Sequence, residues 1–138
     1  MTIPIRIIAA IGQRRQIGYK GDLPWRGDPL FERHMKVDLE HFKKVTMQDV
    51  VILGPKTARS TPRLDGRRTI IYFGGDQEEF LLRAEQEVRA SQGNARTIWI
   101  AGGEMVYRAF KGYCTAPPLI THMAYNGPAD RYLPEGVI

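Results

Sequence analysis

Apolar residues follow two rhythms along this chain. Ile5 to Ile11, Val50 to Leu53, Thr69 to Phe73, Thr97 to Ala101 and Pro118 to Ala124 are short runs, apolar at nearly every position. A run with no polar side suits a strand covered on both faces, and parallel sheets are built from such strands. Between these runs, apolar residues return every three or four positions, the spacing of a helix with one buried face. The first such stretch starts at Asp28, whose carboxylate can cap free backbone N–H groups, with Pro29 suited to the first helical position. At about 100° per residue, Phe31, Met35, Leu39, Phe42 and Val45 share one face, and Glu40, Lys43 and Lys44 take the other. In Phe80 to Ala90, Leu81, Ala84 and Val88 line up while Glu79, Arg83 and Glu87 point elsewhere. Glu104 to Phe110 is a further short helix, and the turn Gly54-Pro55-Lys56-Thr57 can open another. Gly12 to Gly21 and Ser60 to Arg68 are expected as loops. Strands and helices in alternation predict an α/β fold with a mainly parallel sheet flanked by helices, one domain over residues 1–138.

One residue breaks the first helical stripe. Asp38 falls on the same face as Phe31, Met35, Leu39, Phe42 and Val45. A carboxylate among apolar side chains is costly unless it is paired, hydrogen-bonded or protonated. Such a setting raises a carboxyl pKa, as a general acid requires. Ligands of open α/β sheets bind beyond the carboxyl ends of the strands. The loop after Ile11, the turn at Gly54 and the pair Gly102-Gly103 all lie at such ends. Glycine there lets a ligand approach the backbone. Gly54-Pro55-Lys56-Thr57 lacks the upstream glycine and spacer of a P-loop, and no complete Gly-x-Gly-x-x-Gly is present.

Composition narrows the partners. Lys and Arg number 20 against 15 acidic residues, a net charge of +5. That favours anionic ligands such as phosphorylated cofactors and carboxylates. The cations are scattered, without the dense stripe of a nucleic-acid surface. The single cysteine, Cys114, excludes an internal disulfide and fits a reducing, cytoplasmic setting. His34, His41 and His122 have no metal-ligand spacing, so no metal is expected. Ile3 to Ile11, interrupted by Pro4 and Arg6, suits a strand and not a membrane span.

Several short motifs occur in one order. They are Ile8-Ala9-Ala10, Ile17-Gly18, Leu23-Pro24-Trp25, Asp38-Leu39-x-x-Phe42-Lys43 and Ile52-Leu53-Gly54-x-Lys56-Thr57. Leu64-x-Gly66-Arg67, Ala101-Gly102-Gly103-x-x-Val106-Tyr107, Thr121-His122 and Asp130-x-Tyr132-x-Pro134 follow. Together they resemble the dihydrofolate reductase family over nearly the whole chain. The resemblance implies NADPH-dependent reduction of 7,8-dihydrofolate to tetrahydrofolate, in an antifolate-target class of enzyme. It assigns Asp38 to pterin binding and to protonation of N5 through a water, with Thr121 hydrogen-bonded to that carboxylate. Trp25 backs the pocket. Ile8, Ala9, Leu39 and Phe42 form the substrate walls, and Arg67 clamps a glutamate carboxylate. Ala10, Ile17, Gly18 and Leu23 line the nicotinamide. Gly54, Lys56, Thr57, Ala101, Gly102, Gly103 and Tyr107 hold the rest of the cofactor.

Three departures qualify the resemblance. Arg26 to Val37 separates Trp25 from Asp38 by more residues than is usual, and is expected to extend the acid-bearing helix or to form a lid. Pro55 and Tyr72-Phe73-Gly74 replace polar residues at the cofactor's phosphate end, which leaves NADPH against NADH open. After Pro134 the usual further antiparallel strands are missing, which predicts either a monomer with an open sheet edge or an edge-paired homo-oligomer. Rival readings are a reductase of another pteridine or pyrimidine, and a binding or structural descendant of the fold without catalysis.

Overall fold

The computed structural model describes residues 2–61 and 66–138. Among them, five strands form a parallel sheet: β1 (Ile5–Ile11), β3 (Val50–Leu53), β4 (Arg68–Ile71), β5 (Ile98–Ile100) and β6 (Leu119–His122). Their order across the sheet is β4-β3-β5-β1-β6. A separate antiparallel ribbon joins β2 (Gln16–Gly18) to β7 (Arg131–Tyr132). The helices are α1 (Glu32–Thr46), α2 (Pro55–Ser60), α3 (Gln77–Ala90) and α4 (Glu104–Phe110). Leu64, quoted in one of the sequence motifs, lies outside the described residues.

Side chains alternate between the faces of a strand, and here each face has its own core. Ile5, Ile7, Ala9 and Ile11 of β1 join Val50, Ile52, Ile98 and Ile100 on one side. Leu81, Ala84 and Val88 of α3 and Val106, Tyr107 and Phe110 of α4 cover them. Ile8, Val51, Leu53 and Trp99 look to the other side, where Phe42 and Val45 of α1 pack on them. A third cluster, Trp25, Met123 and Tyr125, receives Phe31 and Met35 from the N-terminal end of the same helix. Val50 to Leu53 are fully buried, as expected of a central strand.

The stripe on α1 is the expected one. Phe31, Met35, Asp38, Leu39, Phe42 and Val45 are each half-buried, and the remaining helix positions up to Lys44 are exposed. The start of the helix differs. It begins at Glu32 and not at Pro29, because Asp28 is used in a turn. The Asp28 Oδ1 accepts from the Leu30 N–H at 3.0 Å, and its carbonyl accepts from the Phe31 N–H at 3.0 Å. The Arg26–Val37 stretch thus divides, with turns up to Phe31 and then an N-terminal extension of the acid-bearing helix. The Gly12–Gly21 loop also differs from expectation, since it contains β2.

Candidate active site

Asp38 sits half-buried on the inner face of α1. Burial raises its carboxyl pKa above the ordinary value. A side-chain hydrogen bond from Thr121 and the positive field of His41 pull it partly back. Thr121 comes from β6 and stands opposite Ala10 of β1. The acid therefore faces the carboxyl ends of two neighbouring strands.

Tyr107 of α4 is the link from the acid to the glycine pair. Its hydroxyl donates to the Ile8 carbonyl at 2.8 Å. It is fully buried, and burial together with the Asp38 charge pushes its phenol pKa well up. The hydroxyl therefore stays protonated as a donor. The ring lies against Gly102, where an added Cβ would meet the hydroxyl at 3.1 Å; Gly102 also has φ of +112°, a conformation that favours glycine.

The glycine turns meet one strand further on. The Gly54 N–H donates to the Gly102 carbonyl at 2.8 Å, joining the ends of β3 and β5. A Cβ on Gly54 would meet Val106 Cγ2 at 3.3 Å, and one on Gly103 would meet Thr57 Oγ1 at 3.4 Å. The glycines thus allow close packing of Val106 and Thr57 at the ends of β3 and β5, and Lys56 is exposed in the first turn of α2. Pro55 occupies the first position of α2, where its missing N–H costs nothing.

Trp25 is 1% exposed and meets Tyr125 edge-to-face at 5.7 Å; Phe31 meets the same tyrosine at 5.5 Å. Ala10 and Leu23 pack against this cluster. Leu39 and Phe42 flank Asp38 on α1, Ile17 packs against the core that holds Tyr107, and Ala101 packs with Ile8 and Leu53. Ala9 stands apart from Ile8 and Ala10. Strand alternation turns its side chain into the core on the far face, so of this residue only the backbone can line the cleft.

Arg67 is buried, and its fork is engaged by α1. Its Nε donates to Thr46 Oγ1 at 3.1 Å and a terminal nitrogen donates to the Lys43 carbonyl at 2.6 Å. The guanidinium is thus oriented by the C-terminal end of the helix that carries the acid. Tyr72 proves to be core. Its ring meets Phe80 and Phe110 edge-to-face, and its hydroxyl donates to the Gly75 carbonyl at 2.8 Å. Asp76 caps α3 through the Glu78 N–H. Phe73, by contrast, is 74% exposed at the end of β4.

Two participants had no readable signal. His41 is three positions after Asp38 on the helix, which brings its charge to bear on the acid. Tyr125 is a lone aromatic in a turn-rich segment, and nothing in its spacing announces the Trp25 contact.

A half-buried acid thus stands at the carboxyl end of a parallel sheet, one strand away from a crowded glycine pair. The dihydrofolate reductase family model matches residues 4–136, and the chain belongs to that family. It is 36% identical over 135 residues to the dihydromethanopterin reductase of Methylorubrum extorquens, covering 94% of this chain and 90% of that protein. It is 28% identical over 144 residues to dihydrofolate reductase HdrB of Haloferax volcanii, covering 94% and 70%. It is 28% identical over 136 residues to the dihydrofolate reductase of Bacillus subtilis, covering 95% and 76%. Among the described residues, no helix is long and apolar enough to cross a membrane.

Proposed function

We propose that the chain reduces a 7,8-dihydropterin at the expense of NADPH, with 7,8-dihydrofolate as substrate and Asp38 as the source of the proton at N5. The observation that carries this reading is the Asp38 carboxyl, half-buried, raised in pKa and set between Thr121 and the Tyr107 end of the glycine edge. A carboxyl with raised pKa is protonated over more of the working pH range, which suits a general acid. A flat ring lying between α1 and the sheet would have Leu39 and Phe42 on the helix side. Trp25 and Tyr125 would close the inner end.

The residues present suit an extended dinucleotide. Its track runs from Ala10, Ile17, Gly18 and Leu23 past Gly102 and Gly103 to Gly54, Lys56 and Thr57. At about 4.8 Å per strand, β1 to β3 is about 10 Å, a fitting distance from a nicotinamide to its phosphates. When bound, the cofactor supplies hydride to pterin C6. The chain's part is to hold the two rings in contact and to keep the proton on Asp38 until N5 can take it.

Arg67 is the residue we assign to a glutamate carboxylate of folate, since a planar fork held from behind suits a planar anion. A second reading is supported by the relative from Methylorubrum, whose name specifies dihydromethanopterin. Both readings need the same ring chemistry and differ in what lies beyond the ring. NADPH oxidation should be followed with each dihydropterin in turn, and with NADH in place of NADPH. Oxidation with dihydrofolate supports the first reading, and oxidation with dihydromethanopterin alone selects the second. Absence of oxidation with either pterin and either nucleotide refutes both. Equal efficiency with NADH would remove the preference for NADPH from this reading.

A further inference from the structure

The first residue of α4 follows the glycine pair directly and carries a carboxylate, Glu104. That carboxylate does not face the cleft freely. Its Oε2 accepts from the Tyr132 backbone N–H at 2.8 Å. One helical turn on, Arg108 stands 4.0 Å away and faces the same carboxylate.

Tyr132 belongs to β7, which pairs with β2 in the loop after β1, at Gln16↔Tyr132 and Gly18↔Arg131. Backbone bonds on either side fasten the ribbon. The Leu133 N–H donates to the Arg15 carbonyl at 2.9 Å, and the Asp130 N–H donates to the Gly18 carbonyl at 2.9 Å. Ile17 lies between the paired positions and packs against the core that contains Val106 and Tyr107 of α4. The path from Glu104 through Tyr132 and β2 to Ile17 therefore returns to the helix from which it started.

We infer that Glu104 is a positioning residue, which fixes the Ile17 wall relative to the Gly102-Gly103 turn by holding the β7 backbone. The consequence for turnover rests on the function proposed above, because both ends of the tie are assigned to one cofactor. The carboxylate acts through Tyr132 and touches no reacting atom. The needed property is an acceptor oxygen at that position, which glutamine retains and alanine lacks.

The test compares Glu104→Ala and Glu104→Gln with the parent. Amide hydrogen exchange is read over residues 12–21 without cofactor, and KM and kcat are read with NADPH. Glu104→Ala should exchange faster over 12–21, with α3 unchanged, and should raise the KM for NADPH about fivefold with a smaller change in kcat. Glu104→Gln should stay within about twofold of the parent on both readouts. Parent-like exchange in Glu104→Ala overturns the tie. Equal loosening in Glu104→Gln overturns the acceptor role, and an unchanged KM for NADPH overturns the positioning role. If the parent oxidises no NADPH, the proposed function fails, while the exchange data still decide whether Glu104 holds the ribbon.

Discussion

The two faces of the sheet are covered to different depths. On one face, α3 and α4 press Leu81, Ala84, Val88, Val106 and Phe110 into a closed core, and these side chains are buried. On the other, α1 offers an apolar stripe of which every member is only half-buried, and Thr46 is the helix's one buried residue. The strands beneath differ as well, since the α1 face carries Arg6 and Thr121 where the α3 and α4 face is apolar throughout its core. The difference therefore lies in the helices and in the polar strand positions together. Apolar packing on this face stops short of closure, and Asp38 is one of its half-buried members. One face is closed by its helices, and the other carries the acid assigned above to the proposed reaction.

Substitutions can break or sharpen that contrast. On the closed face, Leu81→Ala or Ile100→Ala should cost about 2–5 kcal/mol of stability in denaturant unfolding, since neither site can collapse around the cavity. On the open face, Phe42→Ala should cost less than about 2 kcal/mol, because solvent already reaches the site, while raising the KM for the pterin substrate. Equal destabilisation on both faces would remove the distinction. A smaller effect is expected from Thr121→Val. It removes the hydrogen bond that lowers the Asp38 pKa, so the limb where activity falls with rising pH should move to higher pH. His41→Gln should shift that limb in the same direction by less, because its charge is the weaker of the two influences.

Much of this contrast was legible in the residues. The strands announced themselves because both-sided apolar runs have few other uses in a chain this size. The α1 stripe was visible together with its misfit, and a misfit of that kind is how a site shows in a sequence. What escaped notice was held by backbone and by single side chains. The β2–β7 ribbon is two or three residues per strand, too short for any periodicity. Buried Gln16 helps to hold it, with its side-chain amide donating to the Gly127 carbonyl at 3.2 Å. Asp28 carried a genuine capping signal, yet the turn ahead of the helix used it first. Asp49, which accepts from the Trp99 indole at 2.8 Å, looked like any loop acid. Ala9 shared a motif with Ile8 and Ala10, and only its place in the strand sends its side chain to the opposite face.

The relation between stability and chemistry at Asp38 follows from linkage. Its folded-state pKa is raised, so in the window just above the ordinary carboxylate range the folded protein binds a proton that the unfolded chain has released. Stability from this group is therefore greatest at low pH and falls as pH rises through the raised pKa.

The most direct measurement is turnover of Asp38→Asn against the parent at neutral pH, with thermal melting of both. The variant should lose at least about 100-fold in kcat and melt no lower than the parent, since an amide fills the same space without a charge to desolvate. Parent-like turnover would show that the proton comes from elsewhere, and that the open face was not built around this carboxyl.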